Sequence, residues 1–282
     1  MSELAKFADA FTPSQVAKKV KTLGVSKANM PFLPLLILAM MAGAFISFGA
    51  MYYTVVMTHP SEAYGAAKLL GGVAFSLGFI LVVIAGGELF TGNNLIVLAW
   101  ANGKISIRQL LRNWGLVYLG NALGAFLTVY LVFASGFLDG AHHAYGVTAI
   151  KLGLAKVDIT TTEAFVRGIF CNSLVCLASW MVYASRTVTD KVFAVVFPIS
   201  AFVAMGFEHC IANMFMIPLG IVASLDPEAV ALTGLAPEAF ANLTMSGFIE
   251  KLIPVTLGNI FGGSVMVGMS LYIVYLYGRD DA

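Results

Sequence analysis

Charge is scarce in this sequence. Of 282 residues, 11% are Asp, Glu, Lys or Arg, where a water-soluble chain carries about 25%. That deficit excludes an ordinary soluble domain. The charges that remain sum to +1, so there is no basic field for nucleic acid. Cysteine is thin as well. Cys171, Cys176 and Cys210 all lie inside apolar runs, which argues against a disulfide framework and for small packing residues. Residues 1–30 hold Lys18, Lys19 and Lys21 but no apolar core followed by a cleavage site, so they do not read as a removed signal peptide. HExxH, Walker, GxSxG and paired metal-ligand spacings are missing too. No common enzyme class, metal or cofactor is therefore expected.

Apolar sequence is abundant: 59% of residues are hydrophobic and mean hydropathy is +0.88. Six uncharged runs follow one another: Phe32–Met57, Gly71–Ala101 interrupted by Glu88, Trp114–Leu138, Gly168–Ala184, Val192–Leu225 interrupted by Glu208 and His209, and Leu252–Gly278. About 20 residues cross a bilayer as a helix. The second and fifth runs are too long for one crossing and carry ionisable groups at their middles. Gly86, Gly87 and Gly92 flank the first acid, and Gly206 and Pro218 bracket the second group, so both runs are expected to break into half-helices. The fold class expected is all-α, six transmembrane helices with the second and fifth broken. Residues 31–279 form that channel domain, and residues 1–30 form a cytoplasmic amphipathic helix begun by Thr12-Pro13, with Val16, Val20 and Leu23 on one face. That helix is a membrane-surface anchor or, more sharply, a gating element. The connections 139–163 and 226–250 are modest loops.

If the N-terminus is cytoplasmic, eleven basic residues face inward (Lys6, Lys18, Lys19, Lys21, Lys27, Lys104, Arg108, Arg112, Arg186, Lys191, Arg279). Five face outward: Lys68, Lys151, Lys156, Arg167 and Lys251. The positive-inside bias puts both termini in the cytoplasm. An internal repeat accompanies this topology. Glu88-x4-Asn93 recurs as Glu208-x4-Asn213, and Gly120-Asn121-x-x-Gly124 recurs as Gly258-Asn259-x-x-Gly262. Three spans per half make the repeat inverted.

An ionisable group at bilayer depth costs at least ~2.5–3.5 kcal/mol and usually has a role. Glu88 and Glu208, with Asn93 and Asn213, read as structural groups at the helix breaks, the carboxylates accepting hydrogen bonds from freed N–H groups. His209 can donate a hydrogen bond when neutral and a proton when charged. Thr91, in the other break, can meet a ligand from the opposite side. Phe75, Phe79, Phe90 and Phe202 can form apolar constrictions. The four repeat glycines suit close helix contacts.

The segments Gly87-Glu-Leu-Phe-Thr-Gly-Asn93, Gly206-Phe-Glu-His-Cys-Ile-Ala-Asn213-Met-Phe-Met-Ile-Pro218, Pro254-Val-Thr-Leu-Gly-Asn259 and Phe170-Cys-Asn-Ser-Leu-Val-Cys176 strongly resemble the formate/nitrite transporter family. The resemblance implies an aquaporin-like fold in the bacterial inner membrane, assembled in the lipid bilayer as a homopentamer with one pore per subunit. It implies Thr91 and His209 facing each other mid-pore, with Asn172 hydrogen-bonding near the histidine. Phe75, Phe79, Leu89, Phe90, Val175 and Phe202 line the constrictions, and Lys156 draws anions into the periplasmic vestibule. Phe79 stands where the formate branch is expected to carry leucine. Formate is favoured as substrate on the N-terminal extension, the long loop before the last span and Asn213-Met-Phe-Met-Ile-Pro218; Glu88-Leu-Phe-Thr-Gly92 resembles the nitrite branch. Nitrite or a neutral solute is the alternative cargo.

Overall fold

A computed structural model describes residues 10–59 and 63–279; Lys6 and residues 1–9 of the expected N-terminal domain lie outside them. Every element among the described residues is helical. These are α1 (Pro13–Ala28), α2 (Phe32–Met57), α3 (Tyr64–Ala85), α4 (Phe90–Asn93), α5 (Val97–Ala101), α6 (Ile107–Ala134), α7 (Ala144–Val157), α8 (Thr161–Ala184), α9 (Val188–Ala204), α10 (Cys210–Ala223), α11 (Pro227–Thr233), α12 (Met245–Ile260) and α13 (Ser270–Tyr275). Short 3₁₀ turns fill some connections, and a π-helical stretch, Phe261–Met269, joins α12 to α13.

Five helices are each long and apolar enough to cross a bilayer: α2, α3, α6, α8 and the continuous Met245–Tyr275. The fifth run appears as α9, 17 residues, and α10 beyond the break at 205–209. α10 and α11 then bend by 102°. Several helices start earlier than the uncharged runs, because capped polar turns begin them. Ser106 accepts from Gln109 N–H ahead of α6, and Thr160 from Glu163 N–H ahead of α8. The stretch 139–163, expected as a loop, contains α7, whose Ile150 and Leu154 are buried.

The two halves pack alike. α2 lies against α3 and α6, and α8 lies against α9 and α12, with α9 also crossing α3. Backbones approach closely at the repeat glycines. A Cβ on Gly124 would stand 1.9 Å from the Met40 carbonyl oxygen, and one on Gly258 2.1 Å from that of Phe165. In lipid, where apolar surface drives no helix pairing, this close fit supplies the van der Waals contact.

Gly86 ends α3 at φ +78° and Gly206 follows α9 at φ +73°, a left-handed conformation that costs other residues about 1–2 kcal/mol. The chain then runs extended through Leu89 and His209 before α4 and α10 begin. A single asparagine closes each break. Asn121 Oδ1 accepts Phe90 N–H (2.9 Å), while its amide donates to the carbonyls of Ala39 (2.7 Å) and Glu88 (2.9 Å). Asn259 Oδ1 accepts Cys210 N–H (2.9 Å), while its amide donates to the carbonyls of Gly168 (2.8 Å) and Glu208 (2.9 Å). Glu88 N–H and Glu208 N–H reach Leu38 and Arg167 carbonyls on α2 and α8. The freed backbone is thus satisfied by neighbouring helices, as lipid requires.

Helix α1 packs inward as well. Val16, Ala17 and Val20 are buried in one cluster with Leu95, Leu98 and Cys176, so α1 lies against protein beneath the first break; Leu23 is half-buried. Outside the spans, His143 joins Asp226 ahead of α11 through Nδ1 at 2.7 Å. That hydrogen bond from the ring to Asp226 raises the His143 pKa above its ordinary 6.5.

Replacing Gly258 with Leu is expected to abolish folded protein in detergent, whereas Gly65→Ala, with open space around it, should leave the melting temperature unchanged. Asn259→Ala strands three backbone groups. At about 1–3 kcal/mol for each unpaired group, it should lower thermal stability by on the order of 3 kcal/mol or more, read by melting of the purified protein. The His143–Asp226 tie stabilises at acid pH and weakens as pH rises through the raised pKa. Hydrogen exchange in α7 and α11, corrected for intrinsic rate, should be slower at pH 6 than at pH 8.5, and His143→Gln should erase that difference.

Candidate functional site

The two breaks meet at the centre of the bundle, where Thr91 Oγ1 lies 3.1 Å from His209 Nε2. Thr91 is fully buried and His209 is 2% exposed. His209 is the N-cap of α10, and its Nδ1 accepts Ala212 N–H at 3.1 Å. A backbone N–H can only donate, so Nδ1 carries the lone pair. The neutral ring therefore holds its proton on Nε2, pointing at Thr91. The break is pinned and the tautomer set by one contact.

Aligning Glu88 with Glu208 pairs His209 with Leu89 and Thr91 with Ile211. The repeat whose asparagine ties match bond for bond differs at the centre, and its two polar groups come from unlike positions. Leu89, with no polar atoms, caps nothing.

A cavity opens on each side of the pair. One, about 320 Å³, is lined by Lys19, Lys27, Phe79, Glu88, Leu89 and Lys191. The other, about 400 Å³, is lined by Lys68, Phe75, Lys156, Phe202, Glu208 and His209 among others. We call them the Glu88 and Glu208 vestibules. Each acid is bound twice in the same way. Glu88 takes Lys27 Nζ at 2.6 Å and Asn93 Nδ2 at 2.7 Å. Glu208 takes Lys156 Nζ at 3.1 and 3.2 Å and Asn213 Nδ2 at 2.7 Å. The carboxylates therefore hold an ammonium and an amide, and the freed backbone N–H groups go to Asn121 and Asn259 instead. Lys27 comes from α1 and Lys156 from α7, two helices outside the broken spans. Lys27 also donates to Asn93 Oδ1 (3.0 Å), whereas the buried Asn213 Oδ1 has no partner among the described residues.

The aromatic residues divide between roles. Phe75 meets Phe202 edge-on at 5.8 Å between centroids, and Phe202 stacks on the His209 ring at 5.9 Å and 21°. Phe79 and Leu89 line the Glu88 vestibule. Phe90 lines neither cavity and is wedged edge-on against Trp114 and Tyr118. Val175, 1% exposed, also lines neither. Asn172 donates to Asn94 Oδ1 and to the Asn259 carbonyl, both at 2.7 Å, and so braces the scaffold behind the histidine.

Three participants had no sequence signal read for them: Lys27 as partner of Glu88, and Asn121 and Asn259 as backbone ties. The asparagines are part of the Gly-Asn-x-x-Gly repeat, of which only the glycines were given a role. The one group of described residues with metal-ligand spacing, Asp139, His143 and Asp226, lies away from both vestibules and is tied together by its own hydrogen bonding.

From residue 14 to residue 273 the chain matches a family model described as formate/nitrite transporter. It is similar to formate channel FocA of Escherichia coli K12, 45% identical over 276 residues, 96% of this chain and 97% of that one. It is also similar to FocA of Haemophilus influenzae, 43% identical over 92% of this chain and 93% of that one. Among solved structures, a pentameric formate channel with formate bound superposes with TM-score 0.81 at 45% identity, covering 87% of this chain and 98% of that one. An FNT family ion channel gives TM-score 0.77 at 28% identity, covering 92% and 98%. A chain matched over this length, with apolar spans around two broken helices, is a multi-pass membrane transport protein and not an enzyme, and it belongs to the formate/nitrite transporter family.

Proposed function

We infer that this chain conducts small monovalent anions, formate above all, across the bacterial inner membrane through one pore per subunit of a homopentamer. The observation that carries the reading is the buried contact of His209 Nε2 with Thr91 Oγ1 between two lysine-lined vestibules. The similarity to formate channels, one of them pentameric with formate bound, supports the substrate and the assembly. Residues 31–279 are the channel and residues 1–30 its cytoplasmic appendage. With both termini cytoplasmic the halves run in opposite directions, and the Glu208 vestibule opens to the periplasm.

The energetics ask for a donor at the centre. Leaving a charge at bilayer depth costs at least ~2.5–3.5 kcal/mol. Protonating a carboxylate of pKa ~4 at pH 7 costs about 4 kcal/mol. These are comparable, so a local hydrogen-bond donor decides the route. In the empty pore Nε2–H donates to Thr91 Oγ1. An anion entering between them takes Nε2–H and frees the threonine hydroxyl to donate as well, so two buried donors replace water. The rings of Phe75 and Phe202 on one side and the side chains of Phe79 and Leu89 on the other form the constrictions, with Phe90 and Val175 behind them.

His209 protonates the anion only if the ring is resupplied. Giving up Nε2–H from the neutral ring leaves an imidazolate unless Nδ1 gains a proton, and Nδ1 holds Ala212 N–H. Hydrogen bonding needs no such opening; full proton transfer requires the cap to let go. Nitrite, a weaker base, fits the same two donors, and the Glu88-Leu-Phe-Thr-Gly92 segment favours it as the second substrate.

Purified protein in liposomes should carry formate saturably, faster than nitrite, with a rate that changes between pH 5 and pH 7 and with no glycerol flux. Nitrite outrunning formate would move the chain to nitrite; equal glycerol flux would make it a neutral-solute channel. His209→Phe removes a hydrogen bond to a charged group, worth about 1.5–3 kcal/mol, and should cut formate flux roughly ten- to hundredfold. Inward formate flux of undiminished rate and unchanged pH dependence in that variant would remove His209 from the mechanism.

A further inference from the structure

Three basic side chains line the Glu208 vestibule: Lys68, Lys156 and Arg167. Two of them are already compensated. Lys156 spans both oxygens of Glu208 at 3.1 and 3.2 Å, and Arg167 holds Glu163 at 2.9 Å one helical turn away. Lys68 differs. Its Nζ lies 3.2 Å from Tyr53 Oη, 5.5 Å from the centre of the Tyr64 ring and 6.0 Å from that of Tyr53. Among the described residues its partners are thus all uncharged, a phenol oxygen and two π-faces, which steady an ammonium without cancelling its charge.

The position is built. Gly71, one turn after Lys68, leaves room for the Tyr53 ring: a Cβ there would stand 2.8 Å from Tyr53 Cε2. Tyr53 is 4% exposed, so its hydroxyl is fixed at the wall. Its ring meets Phe75 edge-on at 6.5 Å, Phe75 meets Phe202, and Phe202 stacks on His209. Lys68 and Tyr53 therefore stand at the far end of an aromatic row whose near end is the central imidazole. Nζ spends one of its three donors on Tyr53 Oη, and the phenol O–H is left to donate. Two convergent donors, one charged, match the two oxygens of a small carboxylate or of nitrite.

We propose that Lys68 and Tyr53 form an outer docking station for the transported anion, and that Lys68, rather than the neutralised Lys156, supplies most of the vestibule's attraction. An anion captured there is held at the head of the apolar row and moves on to His209 and Thr91. Lys68 thus sets capture at low substrate and leaves the central step alone. The transport part of this assignment rests on the anion-channel reading above; the docking part does not.

The test is formate uptake into liposomes by Lys68→Met, Lys68→Arg and Tyr53→Phe, across formate concentrations and at low and high ionic strength. Lys68→Met should raise the half-saturating concentration about tenfold, the lower end of what a charged cleft supplies. Its saturating flux should match the unsubstituted chain, and the salt dependence of low-substrate flux should flatten. Lys68→Arg should restore both, and Tyr53→Phe should give a smaller rise. An unchanged half-saturation, or a fall in saturating flux alone, overturns the assignment. Crystals soaked in bromide read docking without transport. An anomalous peak within hydrogen-bond reach of Lys68 Nζ and Tyr53 Oη, absent in Lys68→Met, supports the station even if formate proves not to be the cargo. Bromide found only beside Lys156, or equally in Lys68→Met, overturns it.

Discussion

A polypeptide that breaks a helix inside hydrocarbon must give its freed N–H and C=O groups new partners, because lipid offers none. Everything at the centre of this molecule depends on how that is done. Asn121 and Asn259 each satisfy one N–H and two carbonyls with a single side chain. With all three of these groups engaged, neither amide can rotate without losing bonds, and the extended segments at Leu89 and His209 are held rigid. The glycines beside these asparagines bring α6 to α2 and α12 to α8 closely enough for the amides to reach. A pore results from backbone accounting before any substrate is considered.

Onto this symmetric frame the chain places an asymmetric centre. The position occupied by Leu89 in one half is His209 in the other, and only the latter caps its helix with a ring nitrogen. That cap fixes which nitrogen holds the proton and aims it across the gap. The flanking acids are not free charges; each is locked by an ammonium and an amide. Their lysines come from helices outside the broken spans, so the surface helix α1 and the short helix α7 both reach the functional core. Among the described residues, Lys68 of the Glu208 vestibule has a phenol oxygen and two aromatic faces as partners and no carboxylate.

Much of this was legible in the sequence, and the failures have physical reasons. Phe32–Met57 coincides with α2 to the residue, because an uncharged run bounded by Pro31 and Thr58 leaves little choice. Both breaks fell where glycine met an acid in an apolar run. Helix starts at Ile107 and Thr161 came earlier than hydropathy placed them, since capping turns are polar by nature. Helix α7 passed for a loop, because 14 residues with Lys151 and Lys156 are too short and too charged to read as a span. Lys27 and Glu88 are 61 positions apart, and no local pattern announces a contact of that kind. Thr91 and His209 were singled out as the polar groups of the two breaks and paired by the resemblance to the formate/nitrite transporters, yet their unlike positions in the repeat emerge only from the bonds each makes.

Conduction by this route requires an anion to take the place of the direct bond between Thr91 and His209. A high-resolution structure of the protein at saturating formate tests this most directly. The expected result is a formate oxygen at about 2.7–3.2 Å from both His209 Nε2 and Thr91 Oγ1, the pair parted, and Ala212 N–H still on Nδ1. The 3.1 Å contact unchanged, in a preparation shown to carry formate, would contradict it.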